Sequence, residues 1–197
     1  DPQHELHAVM AAMLMQKKQA ALREEFERIG LPAIHTGIGI NTGAMNVGDM
    51  GSTYRRAYTV LGDAVNLGSR LESITKFYGA AILVSESTYA AVQEAFVWRE
   101  VDYMQVKGKK EAIRVYEPLV LRAEASAELL QQVEQYAAAR AAYLARHWDE
   151  AQGLYSALAE QSAVFKKLCT IYLQRIARYR SEQLPDDWCG VWQHDSK

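Results

Sequence analysis

Cysteine is scarce in this 197-residue chain: only Cys169 and Cys189 occur, and neither sits in a CxxC or another zinc-ligand spacing. The two read as reduced thiols of a cytoplasmic protein. No apolar run approaches the roughly 20 residues needed to cross a bilayer, so no span is expected among these residues. An excess of charge of either sign is missing as well. The formal net charge is -2, which gives no reason to expect nucleic acid or an anionic membrane surface as a partner. The opening Asp1-Pro2-Gln3-His4-Glu5 lacks a signal-peptide pattern. It also lacks an initiator Met, so the chain reads as a piece of a longer protein, with a sensor domain or membrane anchor expected upstream. No GxGxxG and no Walker motif is present, which excludes the familiar dinucleotide and P-loop folds by motif. What is there is a hydrophobic fraction of 49%, ordinary for a globular protein with a full core.

Helix formers without Gly or Pro fill Glu5 to Arg28. Leu6, Val9, Met10 and Met13 fall at helical spacing, as do Leu22, Phe26 and Ile29, in a different register. Gly30-Leu31-Pro32 stops this helix. A strand is predicted over Ala33 to Asn41, with Ile34, Thr36, Ile38 and Ile40 on one face and His35, Gly37 and Gly39 on the other. The two glycines leave a flat surface where another backbone can approach. Thr42-Gly43 turns the chain, and Ala44 to Asp49 returns, giving a predicted hairpin. A short run over Ala57 to Leu61 leads to Gly62-Asp63. Asp63 is a plausible N-cap for a helix to about Tyr78 whose apolar stripe is Leu67, Leu71, Ile74 and Tyr78. Gly79 ends it. A strand over Ala80 to Val84, a helix capped by Ser85, and strands over Val97 to Met104 and Ala112 to Tyr116 follow. The last two are joined by Val106-Lys107-Gly108-Lys109. Residues 1–121 thus mix helices, strands and hairpins, an α+β pattern rather than a doubly wound one.

Composition shifts at Arg122: up to Glu182 there is one Gly and no Pro. Three helices are expected, near 123–146, 149–161 and 163–181. Tyr143 to Ala151 resembles the turn of a tetratricopeptide-like helix pair, but one copy cannot build a solenoid, which needs about three repeats. Residues 122–197 therefore read as a helical extension that packs on the preceding domain or its dimer partner. The aromatic tail from Pro185 to Trp192 is expected to dock.

Chemistry concentrates in Tyr58 to Glu72. Asn66 and Arg70 lie one helical turn apart, on a row beside the apolar stripe. An amide and a guanidinium there, near a helix N-terminus, suit phosphate oxygens. On spacing alone the pair reads rather as a solvated Asn and Arg on an ordinary amphipathic helix. His35 and Asp49 could suggest a metal, but read as ordinary strand positions.

Gly39-Ile40-Asn41-Thr42-Gly43, Val47-Gly48-Asp49-Met50-Gly51, the segment Tyr58 to Glu72, and Val106-Lys107-Gly108-Lys109 occur in one order and spacing. Together, over roughly residues 33–120, they resemble the class III adenylyl and guanylyl cyclase catalytic domain. The resemblance implies a ferredoxin-like α+β cyclase fold lacking its N-terminal strands. It implies conversion of ATP to 3′,5′-cyclic AMP and pyrophosphate, at a site between the subunits of a head-to-tail homodimer, with two divalent ions, Mg or Mn. It assigns Asn66 to the ribose and Arg70 to the charge developing on the phosphate. Lys107 falls to the triphosphate and Thr59 to selection of the base. Thr at that position resembles a bacterial and soluble adenylyl cyclase subgroup, some of whose members respond to bicarbonate. Ala44 departs from members that carry an Arg there.

In the family two aspartates, on a first strand and an early hairpin, hold the metals. None of Asp1, Asp49, Asp63 or Asp102 matches those positions, so no metal ligand is expected in this chain. It is expected to carry the transition-state half of a shared site, to be inactive alone, and to work in a cytoplasmic signalling protein or the cytosolic part of a membrane-anchored one. A guanylyl cyclase, a non-catalytic dimerisation or nucleotide-sensing module, and a scaffold built on the helical extension are the competing readings.

Overall fold

The computed structural model describes residues 1–52, 54–106 and 111–194. They fall into two compact units, residues 1–76 with 80–93, and residues 77–79 with 94–197. Among them no helix is long and apolar enough to cross a membrane.

The first unit opens with helix α1, His4–Arg28. Only Val9 and Ala12 of this long helix are buried, in keeping with its two unmatched apolar registers. Strand β1 covers Ile38–Ile40, shorter than the predicted Ala33 to Asn41. The reason is visible in the hydrogen bonds. Gln19 of α1 donates its side-chain amide to Thr36 Oγ1 and accepts from the Thr36 N–H, and Gln16 donates to the Thr36 carbonyl. With those backbone groups satisfied by side chains, the ladder begins only at Ile38, whose N–H reaches the Ala81 carbonyl.

The predicted hairpin between this strand and the next is not what forms. Strand β2, Asn46–Gly51, pairs antiparallel with β3, Arg56–Leu61, in the register Asn46–Leu61 to Gly51–Arg56. Strand β1 instead runs parallel to β4, Ile82–Ser85, through Ile38–Ile82, Gly39–Leu83 and Ile40–Val84. Between the two pairs, helix α2 covers Asp63–Tyr78. Asp63 is its first helical residue rather than the residue before it, and the Asn66 N–H closes the first turn on the Gly62 carbonyl. The predicted stripe holds: Leu67, Leu71, Ile74 and Tyr78 are all buried. Helix α3, Glu86–Val92, is capped by Ser85, whose Oγ accepts from the Thr88 N–H.

The second unit is built on β5, Phe96–Val106, and β6, Ile113–Leu121, an antiparallel pair with irregularities at Val97/Trp98 and Glu100/Asp102. A single 3-10 turn at Arg122–Glu124 leads into α4, Ala127–Leu144, α5, Trp148–Gln161, and α6, Ala163–Tyr179. Ser126 caps α4 through its Oγ, which accepts from the Leu129 N–H. The aromatic tail docks, as expected. Trp188 packs edge-on to Tyr143, Trp148 and Tyr179, and β7, Trp192–His194, adds to β5 in parallel at Met104–Trp192.

Tyr136, Tyr143, Tyr155 and Tyr172 are fully buried among these helices. Three arginines share that interior, each with an acid. Arg99 pairs with Glu117 at 2.5 Å, Arg175 with Asp102 at 2.6 Å, and Arg140 with Glu100. Buried ion pairs of this kind are costly to desolvate and stable only when their remaining hydrogen bonds are met. Here Arg99 also donates to the Val164 carbonyl and Arg140 to the Tyr172 hydroxyl. Residues 122–194 are therefore held to β5 and β6 by directional bonds as well as by packing.

Candidate active site

Helix α2 is seated on β1 by the absence of side chains. A Cβ on Gly39 would lie 2.1 Å from the Gly68 carbonyl oxygen and 2.4 Å from the Glu72 nitrogen, and one on Gly37 would lie 2.0 Å from Thr75 Oγ1. Only glycine lets the helix backbone come this close. The flat glycine face read from the sequence is thus the face that receives α2.

The turn after β1 holds the other end of the helix. Asn41 donates its side-chain amide to the Ala64 carbonyl at 2.9 Å, and a Cβ on Gly43 would meet the Ala64 Cβ at 2.8 Å. Ser87 Oγ donates to the Thr42 carbonyl at 2.8 Å, and the Thr42 and Thr88 hydroxyls lie 3.0 Å apart. The Gly39 to Gly43 segment is therefore a cradle for the start of α2. Its Asn and Thr serve that cradle, a role that spacing alone did not reveal.

From this cradle Asn66 projects exposed, and Arg70, one turn on, is half-buried. The Arg70 Nη1 is buried and has no hydrogen-bond partner among the described residues. A guanidinium nitrogen out of water and without an acceptor is costly. It sits where an incoming oxygen would satisfy it. Arg99, Arg140 and Arg175, by contrast, each hold a carboxylate.

Thr59 lies in β3 opposite Gly48 of β2, exposed. Its strand neighbours Tyr58 and Val60 are exposed too, as are Met45, Val47 and Leu61. Lys107 lies outside the described residues, so the structure brings together Thr59, Asn66 and Arg70 only to the extent that β3 runs directly into α2 through Leu61 and Gly62. Asp49 sits in β2 opposite Tyr58, and His35 lies near Arg23 of α1. Among the described residues no group of three or more His, Cys, Asp or Glu side chains is placed to hold a metal ion. A cavity of about 230 Å³ lies elsewhere, in the second unit, lined by Tyr179, Leu184, Trp188 and Trp192 among others. Thr59, Asn66 and Arg70 are not among its lining residues.

Known proteins place this geometry. The adenylate and guanylate cyclase catalytic domain matches residues 2–117. An adenylate cyclase of Anabaena cylindrica is 44% identical over 117 residues, covering 56% of this chain and 23% of that protein. Adenylate cyclase 1 of Rhizobium meliloti is 34% identical over 117 residues, covering 59% of this chain and 18% of that protein. The chain thus spans less than a quarter of the length of these relatives. The crystal structure of an adenylyl cyclase from P. aeruginosa superposes with a TM-score of 0.56 at 30% identity, over 64% of this chain and 63% of that one. The guanylyl cyclase Cya2 superposes with a TM-score of 0.54, also at 30% identity, over the same shares of each chain. With the glycine-seated helix and the α+β architecture behind the match, the chain belongs to the adenylate and guanylate cyclase catalytic domain family.

Proposed function

We propose that this chain is the transition-state half of an adenylate cyclase site that converts ATP to 3′,5′-cyclic AMP and pyrophosphate. The observation that carries the reading is Arg70: a half-buried cation whose buried Nη1 has no partner among the described residues, one turn from the exposed Asn66. A phosphate oxygen supplies the missing acceptor, and its charge grows as the ribose 3′-oxygen attacks. The stabilisation therefore strengthens toward the transition state, which is what raises turnover rather than affinity. Asn66 holds the ribose, Lys107 the triphosphate, and the Thr59 hydroxyl an edge of the base.

In this reading the metal-binding aspartates come from outside this chain, across a head-to-tail homodimer of the longer, cytoplasmically working protein. The domain boundary lies near residue 121, with 122–197 as an extension. The adenylate cyclases among the relatives favour ATP. The likeness to a guanylyl cyclase structure supports GTP as the second reading.

The test is turnover by the intact protein with ATP and GTP supplied separately. Arg70→Ala and Asn66→Ala should each lower kcat by about 10²–10³-fold with KM changed far less. The 197-residue chain alone should make no cyclic nucleotide with Mg or Mn. Turnover by that chain sinks the half-site reading, and a wild-type kcat for Arg70→Ala sinks the assignment of Arg70.

A further inference from the structure

The Gly39 to Gly43 segment grips α2 at two points on either side of Asn66 in sequence. At the first, Asn41 donates its side-chain amide to the Ala64 carbonyl at 2.9 Å. The α-helical pattern gives that carbonyl to the Gly68 N–H, so Asn41 takes its second lone pair. At the second, the Gly68 carbonyl oxygen lies where a Cβ on Gly39 would be 2.1 Å away. At about 100° per residue, Ala64 and Gly68 stand about 40° apart round the helix, and Asn66 points about 180° from their midline. The grip is therefore directly behind Asn66, whose side chain is exposed on the far side.

Asn41 is itself oriented. The Ala64 carbonyl can only accept, so the amide nitrogen faces it and Oδ1 is left for helix α3, where the Ser87 hydroxyl donates at 3.2 Å. That hydroxyl shares its one proton with the Thr42 carbonyl at 2.8 Å, and Ser85 Oγ lies 2.9 Å behind it. The Thr88 hydroxyl, fully buried, meets Thr42 Oγ1 at 3.0 Å. The turn after β1 is thus tied to α3 on one side and to α2 on the other. Close contact over Gly39 has no preferred direction. A hydrogen bond to one carbonyl has, and it fixes how the first turn of α2 is rotated.

We propose that Asn41, oriented by Ser87, is a positioning residue for Asn66: its bond to the Ala64 carbonyl sets the rotation of the first turn of α2 and so the place of the Asn66 amide. The proposal rests on the role assigned above to Asn66. A misplacement of about 1 Å is worth up to about 10²-fold in rate.

Asn41→Leu keeps the branched shape, brings no charge and removes the donor. In the intact protein it should lower kcat by about tenfold or more while KM for ATP stays within about twofold. Ser87→Ala, a milder change at an exposed position, should lower kcat by about threefold, and Ser87→Thr, which keeps the hydroxyl, should restore it. Coupling separates positioning from a general loss of stability. Added to Asn66→Ala, Asn41→Leu should cost less than about a further twofold, because no amide is left to place. Hydrogen exchange in the same protein should quicken over 64–70 in Asn41→Leu and stay unchanged over 4–28. Full additivity of the two substitutions overturns the proposal, as does unchanged exchange over 64–70 or an equal rise in both segments. So does an unchanged kcat in Asn41→Leu, provided Asn66→Ala in the same assay loses activity. If Asn66→Ala keeps full activity, the function assigned to Asn66 has failed instead, and exchange over 64–70 alone decides whether Asn41 sets the first turn.

Discussion

Arginine shows how one residue type does two jobs in this chain. Arg99, Arg140 and Arg175 are 4%, 5% and 3% exposed, and each is neutralised by an acid. Arg70 is left with a buried nitrogen that the described residues do not satisfy. Arg175 also keeps a buried Nε with no partner among the described residues, but its Nη1 and Nη2 both hold Asp102. The cysteines divide in the same way. Burial pushes the Cys169 thiol up to about 11, whereas Cys189 is exposed. At pH 8 the Cys169 thiolate is then on the order of a thousandth of the population. An alkylating reagent should label the native chain once, at Cys189, and label both sites after denaturation; native labelling of Cys169 in peptide mapping contradicts this. Glycine makes the third residue-level case. Gly39→Ala puts a methyl against the Gly68 carbonyl oxygen and the Glu72 nitrogen. Overpacking of this kind costs about 1–3 kcal/mol, which should show as a lower urea midpoint at unchanged m-value.

At the scale of the element, α2 is the part most completely written in the sequence. Its stripe, its stop at Gly79 and its approach over two glycines all follow from residue spacing. Leu71 is fully buried on that stripe, so Leu71→Ala should cost about 2–5 kcal/mol in chemical denaturation; a loss below 1 kcal/mol would mean the helix collapses onto the site. Strand pairing was less legible. Alternation marks a strand but not its partner, and Thr42-Gly43 looked like a hairpin turn. The competing facts are long-range: Gln16 and Gln19 of α1 occupy the Thr36 backbone, and β4, more than forty residues on, pairs with β1. The site divided similarly. The Asn66 and Arg70 row was readable from a four-residue spacing. The anchoring of Asn41 to Ala64 and of Tyr78 to Asp102 was not, because neither pair has a local pattern. The Asp102 carboxylate is a single acid in a strand, with its partner 73 residues away.

Across the whole molecule the titratable interior is lopsided, and that has a consequence for pH. Tyr78, Tyr136, Tyr143, Tyr155 and Tyr172 are all buried in the second unit. Burial is the main cause that raises each phenol above its ordinary 10.0; at Tyr143 the Arg175 charge opposes the rise, and Tyr179 and Asp102 add to it. Burial works against the Arg175 charge, but Asp102 and the surrounding phenolic oxygens outweigh it, so that guanidinium keeps its proton throughout. A folded pKa above the unfolded one means that the folded chain holds protons the unfolded chain has lost. Stability is then fully present below pH 10 and falls as pH climbs through the unfolded tyrosine range toward the higher folded values. Five such groups acting together make the decline steep. On alkaline titration, tyrosinate absorbance should lag behind that of free tyrosine and then rise in one step with the loss of helical circular dichroism. Tyrosines that ionise gradually near 10, with the helices intact, would show that water reaches the α4–α6 interior.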